Sequence, residues 1–140
     1  MIDSGDTGFM IICTALVLLM TPGLAFFYGG MVRRKNVVNT MMTSIFVIGI
    51  AMVMWILFGY SLAFGNDHLG IIGDLSFLGL SNVGTTPGNY ASTIPDLGFA
   101  AFQMMFAIIT PALITGAVAG RMKFKALFIF IIVWSTIVYY

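Results

Sequence analysis

The sequence predicts an all-α membrane protein, a polytopic bundle of transmembrane helices, and three observations carry that prediction. Sixty per cent of the 140 residues are hydrophobic and 8% are charged, with a mean hydropathy of +1.06, whereas a soluble domain carries about a quarter charged residues. Four long stretches, 7–32, 36–66, 97–120 and 126–140, contain no charged residue. The charges between them sort completely by sign: Arg33, Arg34, Lys35, Arg121, Lys123 and Lys125 fall in two short segments, and Asp3, Asp6, Asp67, Asp74 and Asp96 fall in the others.

The first apolar run gives a span at approximately 8–32. No Lys or Arg precedes it, unlike a cleavable signal peptide, so it reads as a permanent helix. Its length exceeds the about 20 apolar residues needed to cross hydrocarbon. The second span is placed at approximately 37–65. Residues 66–96 are rich in Gly, Asp, Ser, Asn and Pro and read as an extended external loop, with short helical pieces expected near Leu75 to Leu78. The third span lies at approximately 97–120. The fourth, 125–140, contains a charge-free stretch that rises only roughly 22 Å at about 1.5 Å per residue, short of the about 30 Å hydrocarbon core. It is read as a fourth helix cut within its length.

Because cytoplasmic loops carry the excess of Lys and Arg, the N-terminus and the 66–96 loop are expected outside, and the loops 33–36 and 121–125 in the cytoplasm. Snorkelling of basic side chains at helix ends would not explain why every acid lies on the other side. A formal charge of +1 offers no basic surface for nucleic acid. Cys13 is the only cysteine; it forms no internal disulfide and reads as packing. His68, the only histidine, falls in the loop and reads as solvated, so no metal site and no cofactor are expected. No Lys, Arg, Asp, Glu or His lies within the charge-free stretches of the spans, which argues against a proton pump and against an enzyme centre.

Inside the spans the chemistry is aromatic and small. Phe102 and Phe106 are four apart, and Thr110 and Leu113 continue the same helical face. On spacing alone, helix packing explains this stripe; the sharper reading is recognition of a desolvated cation, worth about 2 kcal/mol or more at a ring face. Gln103 must face protein or water, because an unsatisfied amide in hydrocarbon costs several kcal/mol. Gly116 and Gly120 form a small-xxx-small pair that permits close helix approach. Pro22 and Pro111 should each remove a helical hydrogen bond and bend their helices.

These residues lie in runs that resemble the start of the Amt/MEP/Rh ammonium transporter family. The run 13–30, CTALVLLMTPGLAFFYGG, is similar to the family's first span, and 31–37, MVRRKNV, to its first inner loop. The second and third spans of the family resemble 55–65, including GYSLAFG, and 102–114, FQMMFAIITPALI. The match runs in order over nearly the whole chain. It implies a fold of about eleven spans built from two inverted five-span halves, of which this chain supplies the first three spans and part of the fourth, and a homotrimer with one pore per subunit.

Residue by residue, Phe102 resembles the phenylalanine of the outer ammonium recruitment site and Phe106 one of the two gating rings below it. Leu113 resembles an apolar pore-lining leucine; Leu24, Phe27 and Tyr28 resemble residues that narrow the inner end. The implied activity is nitrogen uptake at the plasma membrane: recruitment of ammonium, deprotonation, and passage of ammonia through an apolar pore. The implied partners are the ammonium substrate, membrane lipid and a cytoplasmic PII-type regulator. An ammonium sensor module coupled to a cytoplasmic signalling domain is the alternative. The family's two pore histidines, its recruitment-site tryptophan and its second gate phenylalanine have no match in these residues; Trp55 and Trp134 match other parts of the second and fourth spans.

Overall fold

A computed structural model describes residues 1–68, 70 and 72–140. Leu69 and Ile71, which the loop expectation includes, lie outside the described residues. Helix α1 spans Ser4–Met31. Asp3 opens it by accepting a hydrogen bond from the Asp6 N–H at 3.0 Å, and the Asp3 N–H is itself pinned to the Thr93 carbonyl at 2.8 Å. That cap starts the helix four residues earlier than expected. Helix α2, Val37–Met54, runs through a π turn at Trp55–Gly59 into α3, Tyr60–Phe64. Helix α4 spans Asp96–Ala117, and α5, Phe124–Trp134, ends in a second π turn at Ser135–Tyr139.

Three helical segments, Ser4–Met31, Arg34–Phe64 and Asp96–Ala117, are long and apolar enough to cross a membrane; Phe124–Tyr139 is shorter. Helices α1 and α4 both continue through their prolines, Pro22 and Pro111. The C-terminal end of α4 departs from expectation. It stops at Ala117 because the chain turns there, reaching a left-handed φ of +70° at Gly120. Gly120 is therefore a turn residue beside Asn36, not half of a helix-packing pair.

Helices α1, α2 and α4 pack against one another in all three pairings. Val47, Ala112, Leu127 and Ile131 form the core toward the basic turns; Ala51, Met105 and Ile108 form a second cluster with Val17, Ile48 and Met52; Trp55, Tyr60, Ala100 and Ala107 form a third at the acidic end. Between α2 and α4 the buried hydroxyls of Ser44 and Thr115 lie 2.8 Å apart: one donates to the other, and the acceptor gives its own proton to a carbonyl of its helix, Thr40 for Ser44 or Ala112 for Thr115. Such small polar contacts hold helices together where lipid removes the hydrophobic drive between them.

The segment joining α3 to α4 contains structure that composition did not predict. Strands β1, Asp67–His68, and β2, Ile72–Gly73, pair antiparallel, and β3, Pro87–Gly88, pairs with β4, Ala91–Pro95, across a register shift. A short 3-10 turn falls at Leu78–Leu80, a few residues beyond the Leu75–Leu78 expected. The chain passes so close over the end of α3 that a methyl group at Gly73 would lie 2.6 Å from the Ser61 and Leu62 carbonyl oxygens.

Asp74 fastens this crossing. Its carboxylate accepts from the Ser76 hydroxyl and N–H and from the Asn66 amide and N–H, and its carbonyl accepts from the Ser61 hydroxyl at 2.7 Å. The Ser76 hydroxyl foremost, with the Asn66 amide, holds the carboxyl down to about 2 from its ordinary 3.8. A lowered folded-state value stabilises the fold above 3.8, and that contribution fades as pH falls through about 2. Hydrogen-exchange protection at the Asn66 and Ser76 amides should therefore drop across this window, and Asp74→Asn should abolish the drop. Protection that ignores pH in the intact protein would show that the carboxylate does not hold the crossing.

Candidate functional site

The aromatic stripe sits on α4, which two side chains of the preceding span fix in place. The buried Trp55 indole N–H donates to the Ala100 carbonyl at 3.1 Å, and the Tyr60 hydroxyl donates to the Asp96 carboxylate at 3.1 Å, at the first residue of α4. Nothing in the spacing around Trp55 or Tyr60 signalled this role. Their partners lie 45 and 36 residues away.

On α4 the Phe102 and Phe106 rings meet edge to face, centroids 5.1 Å apart at 78°, the geometry in which the positive edge of one ring meets the negative face of the other. Both are half-buried, as is Gln103. One turn further, the Thr110 hydroxyl donates to the Phe106 carbonyl at 2.7 Å. Its proton is thus used within the helix, while the adjacent Pro111 leaves the Ala107 carbonyl without its usual helical donor.

At the other end of the same helix Tyr28 and Leu113 come together. The Tyr28 hydroxyl reaches across from α1 to donate to the Leu113 carbonyl at 2.9 Å. Its ring lies against the bare backbone of Gly116, where even a methyl group would overlap it. Phe27 approaches Tyr28 with centroids 5.8 Å apart and is itself exposed, as is the Leu113 side chain. Leu24 points differently: it packs on the Val47, Ala112, Leu127 and Ile131 cluster and is half-buried. The stripe thus resolves into an aromatic pair at the acidic end and a Tyr28–Leu113 contact at the basic end, with Leu24 engaged by the bundle. No group of three or more His, Cys, Asp or Glu side chains converges among the described residues.

Residues 8–140 match the model of the Ammonium Transporter Family. The chain is 53% identical over 135 residues to an ammonium transporter of Bacillus subtilis, covering 96% of this chain and 33% of that protein. It is 44% identical over 137 residues to ammonium transporter Amt1 of Archaeoglobus fulgidus, covering 98% and 33%. Among solved structures it is similar to Candida albicans Mep2 with a TM-score of 0.88 at 30% identity, covering 99% of this chain and 30% of that one. Saccharomyces cerevisiae Mep2 gives a TM-score of 0.86 at 33% identity, covering 99% and 33%. The chain spans about a third of the length of these relatives.

Proposed function

We propose, from the premise that this chain belongs to the Ammonium Transporter Family, that the complete protein carries ammonium nitrogen inward across the plasma membrane as ammonia. The family fold is a polytopic helical membrane protein, and the relatives named above are transporters rather than enzymes. The observation that carries the reading is the edge-to-face Phe102–Phe106 pair on a helix that brings no ionisable side chain to membrane depth. Rings without charge can attract a cation at the entrance. A bare cation inside an apolar pore costs far more than such contacts return, so deprotonation and passage of the neutral molecule is the cheaper route.

In this reading the acidic end, with the 66–96 segment, faces outside, and the loops 33–36 and 121–125 face the cytoplasm, as the sign-sorting of charge supports. Phe102 and Phe106 receive ammonium. Leu113, Phe27, Tyr28 and the remaining free surface of Leu24 line the inner half of the path. The protein assembles as a homotrimer, and its basic cytoplasmic loops contribute to the face on which a PII-type regulator docks.

The test is methylammonium uptake by transport-deficient cells expressing the full-length protein. Saturable uptake competed by ammonium is the expected result. A well-expressed, correctly folded protein that takes up nothing would overturn the transport reading in favour of the sensor.

A further inference from the structure

At the basic end, on the far side of the bundle from the Phe102–Phe106 pair, a small polar pocket of about 30 Å³ lies between the first turns of α2 and the turn that joins α4 to α5. Asn39, Thr40, Thr43 and Thr115 line it, together with Gly120 and Phe124. Two of the hydroxyls are engaged: Thr43 donates to the Asn39 carbonyl at 2.7 Å, and Thr115 meets Ser44 at 2.8 Å. Thr40 differs from both. It is 4% exposed and lines the pocket, and its hydroxyl has no hydrogen-bond partner among the described residues. A buried hydroxyl is costly to leave unpaired, so the pocket is shaped to receive an oxygen acceptor.

The surroundings favour an anionic one. Gly120, Met122 and Phe124 line the pocket, and Arg121, Lys123 and Lys125 alternate with them, all three exposed. Arg33, Arg34 and Lys35, also exposed, lead into α2 on the other wall. No Asp or Glu occurs between Asp6 and Asp67 or after Asp96, so neither basic segment holds an acid of its own. The N-terminus of α2, where Asn36 makes no side-chain cap, adds the positive end of a helix. The negative end of α4 reaches the same place, but Arg121 and Lys123 follow it directly. A space of this size admits one or two oxygen-sized atoms. A phosphate would therefore insert an oxygen and leave its remaining charge among the exposed basic side chains. Beside the pocket the surface turns apolar: Phe46 and Phe124 meet edge to face at 5.2 Å, and a groove lined by Met42, Ile45, Phe46 and Phe128 continues along α2 and α5.

We propose that the Thr40 pocket is a binding site for an anionic phospholipid. One phosphate oxygen accepts from the Thr40 hydroxyl, the flanking Arg and Lys side chains balance the charge, and an acyl chain lies along the α2–α5 groove. In the orientation proposed above this lipid belongs to the cytoplasmic leaflet. The site itself does not depend on the transport reading, and a failure of uptake would leave it standing.

The experiment is thermal unfolding of the full-length protein in non-ionic detergent, titrated separately with phosphatidylglycerol, phosphatidylcholine of the same chain length, and inorganic phosphate. Binding to the folded state raises Tm with ligand concentration and gives an apparent Kd. Phosphatidylglycerol should bind several-fold more tightly than either of the others. Thr40→Val, which keeps the shape and removes the hydroxyl, should weaken phosphatidylglycerol about tenfold, the loss expected for a hydrogen bond to a charged group. Thr40→Ser should restore it. Lys123→Gln should weaken it about threefold at low salt and much less in roughly 0.5 M salt, which screens exposed charge. The Tm of each variant without lipid shows that it is folded. Phosphatidylcholine binding as tightly as phosphatidylglycerol, or an unchanged Kd in Thr40→Val, overturns the site. Inorganic phosphate binding as tightly as the lipid makes this a free-phosphate site and overturns the lipid assignment. No lipid-dependent shift in the intact protein, as when another segment of the longer protein fills the pocket, overturns it equally.

Discussion

Phe106→Ala in the full-length protein is expected to lower methylammonium uptake at subsaturating substrate by about tenfold or more. A desolvated cation gains about 2 kcal/mol or more from a ring face, and about 1.4 kcal/mol is a factor of ten. Phe102 remains, so recruitment is weakened rather than abolished. The backbone should tolerate the change, because the Thr110 hydroxyl bonds to the Phe106 carbonyl and not to its ring, and alanine is the best helix former. Phe106→Leu separates two roles, since leucine keeps bulk but has no ring face. A leucine variant as impaired as alanine assigns the effect to the ring's electrostatics. A leucine variant that behaves like the intact protein, beside an alanine variant with raised maximal velocity, makes Phe106 a steric gate. Unchanged uptake in both would remove Phe106 from the path and leave transport itself untouched.

Phe102 and Phe106 were legible because helical spacing of four residues survives in any helix, and the structure keeps both rings on α4 in direct contact. The helices were legible for a similar reason: an apolar run with charges only at its ends has few other solutions in lipid. What escaped sequence reasoning depends on partners far along the chain. The β3–β4 pairing is braced by the Asp3 N–H donating to Thr93, about ninety residues away in sequence; the crossing at Gly73 is by contrast local, closed by Asn66 donating to the Asp74 carboxylate eight residues on, a contact that composition does not specify. The π turns at Trp55–Gly59 and Ser135–Tyr139 left no mark in composition, because an i to i+5 bond uses the same apolar residues as a regular turn. Gly120 misled because the small-xxx-small spacing holds in sequence, while the positive φ that ends α4 belongs to the turn. Leu24 lies in the run that resembles the family's first span, but spacing does not say that its side chain packs on the cluster of Val47, Ala112, Leu127 and Ile131.

Gly116→Ala should destabilise the full-length protein by about 1–3 kcal/mol, the usual cost of forcing an extra methyl group into a packed site. The new methyl group would overlap the Tyr28 ring, and that ring cannot swing aside without giving up its hydrogen bond to the Leu113 carbonyl. Tyr28→Phe alone should cost about 1 kcal/mol, one hydrogen bond. The two changes are not independent, so a double-mutant cycle decides the mechanism. In a Tyr28→Ala background the obstacle is gone and Gly116→Ala should cost much less than it does with the tyrosine present, a coupling of about 1 kcal/mol or more. Thermal or denaturant unfolding of the purified protein measures it. Additive costs would show that the ring is not seated on Gly116. Strong coupling would mean that a residue on α1 and a glycine on α4, brought together by a bond spanning 85 residues of sequence, set the distance between the two helices where Phe27 and Leu113 are exposed. Under the proposed transport reading, substitutions at Gly116 would then alter uptake through the width of the inner path.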